Sequence, residues 1–210
     1  MPGEIDTTQV ITELLPALHA DSLGTLYFWT EAELLQWLDE ALKKLARKTM
    51  IFVERSIATA TAADTATYPL PPRHLATLHV TYDSSSLQPA TQVELEARDE
   101  EYATTPGAPD HWYEDKLGLA TIGVTPVPEE EKPLPIIYSV FPPTLDASQF
   151  STLFVQAPAP LKGYLAMAAL AKAYGREGES EMPDLAQHCA ARLQLYEAIC
   201  EQYYGKNSAV

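Results

Sequence analysis

Leu34, Leu35, Leu38, Leu42 and Leu45 recur at intervals of one, three and four, with polar and charged residues between them. That spacing predicts one amphipathic helix with a single apolar stripe. Thr30 and Glu33 stand in the two positions of a capping box ahead of it, and Trp29 and Leu34 in those of a hydrophobic staple. The helix is expected over Glu31–Thr49. Asp39 with Lys43 and Glu40 with Lys44 are acid-before-base pairs four apart, expected on the outer face. Upstream, Val10, Ile11, Leu14, Leu15 and Leu18 also follow helical spacing behind Asp6 and Gln9. Pro16 predicts a kink or an early end there, because proline removes a donor and crowds the preceding turn.

From Met50 the period changes. Residues 50–62 are rich in β-branched side chains and read as a strand and turn. The prolines of 67–72 force an extended path. Ala76, Leu78, Val80 and Tyr82 then alternate with Thr77, His79 and Thr81, as in a half-buried strand. Residues 83–86 read as a turn, and Thr91 with Glu94 as a second capping box opening a short helix to about Tyr102. Gly107 and Pro109 make a corner before Trp112 and Tyr113. Residues 117–124 are expected to pair antiparallel with that strand, Pro126 and Pro128 to end the pairing, and Leu134, Ile136, Tyr138 and Val140 to form the next strand.

Helical patterning returns after Pro158 and Pro160. Residues 161–174 are dense in alanine almost all round, which predicts burial on several sides, and Gly175 suits the position just past the end. A last helix over about 182–204 carries Leu185, Cys189, Leu193, Tyr196, Cys200 and Tyr203 as its expected inner stripe. The predicted fold class is α+β: a four-helix bundle from 1–49 and 157–210, with a small antiparallel β-sheet domain and one short helix inserted at 50–156.

The 210 residues carry 14 basic and 29 acidic side chains, a formal net charge of −15. Such a surface repels phosphate and argues against sequence-specific nucleic-acid binding, which rests on Lys and Arg. Four of the basic residues cluster at Lys43, Lys44, Arg47 and Lys48. No apolar run approaches the length of a membrane helix. Residues 1–6 lack a basic region followed by an apolar one, so no signal peptide is expected. Cys189 and Cys200 would lie roughly 16 Å apart along one helix, too far for a disulfide.

No nucleophile elbow or phosphate-binding glycine loop is spelled, so neither an enzyme nor a cofactor is expected. Of five histidines, His111 beside Asp110 in a glycine-proline corner is the best candidate for chemistry. The alternative function is therefore a small hydrolase or ligand-binding module using Asp110, His111 and Trp112.

The run YFWTEAELLQWLDEALKKLARKT resembles the second helix of tailed-phage head–tail connector, or adaptor, proteins. YPLPPRHLATLHVTYDSSSLQPAT resembles that family's Tyr-x-Leu-Pro segment, strand, turn and return strand. GAPDHWYED is similar to its glycine-proline-tyrosine corner, GVTPVP to its strand ending in Pro-x-Pro, and residues 154–199 to its return helix pair. Pro16 departs from the family's straight first helix. The resemblance implies a virion structural protein at the head–tail junction, assembled in the host cytoplasm. It implies a dodecameric ring of copies between portal protein and tail tube or nozzle, with genomic DNA passing through during ejection and no membrane involved. On that basis Tyr204, Lys206, Asn207 and Val210, with the basic face of Lys43, Lys44, Arg47 and Lys48, are expected to dock on the portal. Ala166, Ala169 and Ala173 are expected at subunit packing, and Asp110, His111, Trp112 and Tyr113 at a tail-facing rim.

Overall fold

The computed structural model describes residues 4–6, 10, 13, 29–56, 60–115, 120–145, 154–156, 161–176 and 182–204. Its helices are α1 (Glu31–Thr49), α2 (Gln92–Arg98), α3 (Leu161–Tyr174) and α4 (Pro183–Tyr204). Its strands are β1 (Glu4–Asp6), β2 (Val53–Ser56), β3 (Thr67–Pro69), β4 (His74–Tyr82), β5 (Ser85–Ser86), β6 (Gln88–Pro89), β7 (His111–Asp115), β8 (Thr121–Thr125), β9 (Ile136–Val140) and β10 (Phe154–Gln156). The chain divides into two units, Met1–Phe52 with Phe141–Val210, and Val53–Val140.

In the helical unit, α1 begins at a complete capping box. The Glu33 N–H donates to Thr30 Oγ1 at 3.3 Å, and the Thr30 N–H donates to Glu33 Oε2 at 2.8 Å. Leu34, Leu38, Leu42 and Leu45 are buried as the stripe requires, each contributing on the order of 2 kcal/mol by leaving water. Trp29 is buried beside Tyr174, ring edge to face with centroids 6.3 Å apart, and its Nε1–H donates to the Ala173 carbonyl at 3.1 Å. On α3, Tyr164 is buried and donates to the Ala41 carbonyl at 3.2 Å; burial pushes its phenol well above the ordinary range. Gly163 lets α4 come close, for a Cβ there would stand 2.6 Å from the Tyr196 hydroxyl. Strands β1 and β10 form a two-stranded antiparallel ribbon in this unit.

The second unit holds two four-stranded sheets, in the orders β2-β9-β4-β5 and β3-β8-β7-β6. Asp83 and Ser84, with φ of 47° and 68°, make the tight turn between β4 and β5. Register shifts in β4 against β9 fall between His74 and Ala76 and between Thr77 and His79. The Thr77 N–H donates to Glu114 Oε1 of β7 at 2.8 Å, a hydrogen bond that ties the two sheets together. His74, tilted over Tyr138, stands 3.5 Å from the same carboxylate oxygen. Helix α2 opens at a second capping box, Thr91 with Glu94, and buries Leu95.

This arrangement corrects the expected four-helix bundle with a small inserted sheet. Among the described residues only α1, α3 and α4 are long, and the fourth helix, α2, is seven residues long and sits in the sheet unit. One buried leucine is too little stripe to join a bundle. The predicted helix around Pro16 lies mostly outside the described residues, although Val10 and Glu13 are helical. The β-region is two sheets of four strands, not one small antiparallel sheet, and β6 pairs with β7 in parallel. The short helix also stops at Arg98 instead of Tyr102.

Candidate assembly surfaces

The basic cluster of α1 is occupied within the chain. Lys44 and Lys48 each stand 2.6 Å from the Glu197 carboxylate on α4, and Lys48 also reaches Glu201 at 3.3 Å. Lys43 pairs with Asp39 at 2.6 Å and reaches the Thr144 hydroxyl at 3.2 Å. The Arg47 guanidinium lies 5.5 Å from the centre of the Phe141 ring. Nearer the start of α1, Glu40 pairs with Lys172, and Glu33 with Arg176 at 2.6 Å. Two sequence expectations are corrected here. Glu40 and Lys44 do not pair with each other, because an exposed pair four apart is worth only about 0.2–0.5 kcal/mol and partners on α3 and α4 are within reach. Asp39 is buried, not on an outer face, and also accepts the Leu145 N–H at 3.0 Å.

These contacts set an acid dependence. Glu197 is buried, which raises its carboxyl, but Lys44 and Lys48 outweigh burial and hold it below its ordinary 4.5. The Lys172 hydrogen bond lowers Glu40, and the Thr30 N–H does the same for Glu33. A carboxylate with a lowered folded pKa contributes stability that is present above its unfolded pKa and lost as pH falls through the folded one. The melting temperature of the helical unit is expected to hold above pH 4.5 and to fall below it. Glu197→Gln should remove part of that fall in calorimetric scans across the acid range. A melting temperature indifferent to pH there would contradict the clamp.

Beside these pairs, α1 and α3 border an open groove of about 510 Å³. Half-buried Trp37 lines it, with Gln36 and Ala171. The three alanines expected at subunit packing stand elsewhere on α3. Ala169 and Ala173 are already buried in the single chain, and Ala166 is half-buried.

At the glycine-proline corner, His111 Nδ1 stands 2.6 Å from Asp110 Oδ1, and Nε2 stands 3.1 Å from Arg98 Nη1. The guanidinium only donates, so Nε2 accepts, and Nδ1–H donates to Asp110. A general base would need Nε2 facing a hydroxyl or thiol; here an arginine occupies that place. Trp112 is half-buried, and Tyr113 is buried with its ring over its cross-strand partner Gly123. Among the described residues no cluster of His, Cys, Asp and Glu could hold a metal ion, and no helix is long and apolar enough to cross a membrane. Cys189 and Cys200 are free and buried.

Helix α4 corrects its expected stripe. Cys189 and Cys200 face inward, but Leu185 does not. Leu185, Leu195 and Ile199 are 43%, 62% and 41% exposed. Arg192, Leu195 and Ile199 recur at intervals of three and four, a second stripe carried by the sequence beside the inner one. Lys206, Asn207 and Val210 lie outside the described residues, and Tyr204 is the last residue of α4.

The chain thus comprises two small units, with the helices of the first joined by ion pairs and one apolar face of α4 exposed. The sequence model of one family, described as SU10 adaptor protein, matches residues 6–207. The chain belongs to that family, a phage head–tail adaptor family. It is therefore a bacteriophage structural adaptor. No curated protein matches the sequence.

Proposed function

We propose that the chain forms a dodecameric ring at the head–tail junction, bound to the portal protein on one side and the tail tube or nozzle on the other, with genomic DNA passing through. The observation that carries the reading is the family match over residues 6–207. The net charge of −15 supports it, since an acidic protein repels phosphate and does not retain DNA. The protein works without a cofactor and catalyses no reaction; at the His111 corner Arg98 takes the nucleophile's place. It is assembled in the host cytoplasm and resides in the virion.

The end of the chain is the proposed portal anchor. Tyr204 combines a large ring with a hydroxyl, a pairing enriched at interfaces, and Lys206, Asn207 and Val210 follow it. Asp110, His111 and Trp112 form the proposed tail-facing rim, with Tyr113 beneath. Deleting residues 205–210 together with Tyr204→Ala should leave circular dichroism unchanged and abolish decoration of portal rings in electron micrographs. Normal decoration by the variant would place docking elsewhere, with the Lys43, Lys44, Arg47 and Lys48 face next to test.

A further inference from the structure

At 100° per residue, Leu185, His188, Arg192, Leu195 and Ile199 fall within an arc of roughly 80° on α4. All five are exposed. Arg192 has no acidic partner among the described residues. By contrast, Lys43, Lys44, Lys48, Lys162, Lys172 and Arg176 each hold one. An exposed apolar patch that holds an arginine combines two features of interface cores, apolar area and Arg enrichment. The occupant it fits offers an apolar knob beside a carboxylate.

The chain carries such a knob itself. Val93 on α2 is 75% exposed, more than any other large apolar side chain described. Glu96 stands three positions on, on the same side of the helix, and is exposed too. The Thr91–Glu94 capping box fixes the helix that presents them. We propose that the outer face of α4 receives α2 of a second copy, Val93 against Leu195 and Ile199, and Glu96 against Arg192. With a net charge of −15, two copies repel over most of their surface, so a contact that sets a cation against an acid has the advantage. The two surfaces differ and each copy carries both, so the contact runs head to tail, as a ring requires. This rests on the assembly reading above and names the surfaces that would serve it.

Cysteine crosslinking tests it. A Val93→Cys chain is mixed with a Leu195→Cys chain and treated with a short bis-maleimide, in concentrated solution and on portal rings. The native Cys189 and Cys200 are buried, and burial pushes both thiols up, so they react slowly. The mixture is expected to give crosslinked dimer, and neither chain alone to do so. Arg192→Glu should lower the yield about tenfold, and Arg192→Glu with Glu96→Arg should restore it. If copies associate by light scattering but this pair does not crosslink, or Arg192→Glu changes nothing, the proposed contact is overturned and self-assembly stands. If Arg192→Glu leaves crosslinking intact but prevents portal binding, the face belongs to the portal and the proposal fails. If copies associate neither in concentrated solution nor on portal rings, the contact and the ring reading fail together.

Discussion

Trp29→Ala is expected to destabilise the helical unit by about 3–5 kcal/mol, the usual cost of removing a buried tryptophan. The ring is fully enclosed, stands edge to face with Tyr174, and ties the start of α1 to the end of α3 through the Ala173 carbonyl. Truncation empties the largest fully buried side-chain volume among the described residues of the unit and leaves that carbonyl with only the longer bond from the Arg176 N–H, at 3.4 Å. Melting should drop on the order of 10 °C in the helical transition. Trp29→Phe keeps most of the ring and loses the hydrogen bond, so its cost should be smaller by several-fold. Equal losses for the two variants would mean that the indole N–H, not packing, carries the effect.

Gly123→Val is expected to destabilise the sheet unit by about 3 kcal/mol, at the upper end of ordinary overpacking. Valine is among the best strand residues and glycine among the worst, so propensity alone predicts a gain. Space decides the sign. A Cβ at Gly123 would lie 2.1 Å from Tyr113 Cζ and 2.5 Å from its hydroxyl oxygen. Tyr113 is buried directly across the strand pair and packs against Tyr102 at 5.5 Å, so its ring has no free place to swing into. In a Tyr113→Ala background the same substitution should cost much less, a coupling that a double-mutant cycle measures. A stabilised Gly123→Val variant would show that the ring does not cover the glycine.

Local chemistry made much of this chain legible. Both capping boxes, Thr30–Glu33 and Thr91–Glu94, are visible as residue pairs three apart, and both are formed. α1 runs over the residues its stripe predicts because caps, stripe and composition agree. Pairing between distant segments was not legible. Thr67–Pro69 and His74–Tyr82 are neighbours in sequence, yet one joins β8 and the other β9. Alternation shows that a segment is a strand, while its partner depends on registers set far away in the chain. The same limit hid Glu197. It reads as one more charge on α4, and only the approach of α1 makes it the anion between two lysines. Gly123 was readable in principle, since a lone glycine inside a β-branched run marks a close approach.

The adaptor reading meets its most direct test in the mass of the complex formed when purified chain is added to portal rings at low micromolar concentration. Native mass spectrometry, or scattering with micrographs, gives that mass. The account predicts a monomer in the absence of portal and a complete dodecameric ring of this chain on each portal ring. Portal rings that stay bare would contradict the adaptor role, and a stable closed ring without portal would contradict templated assembly.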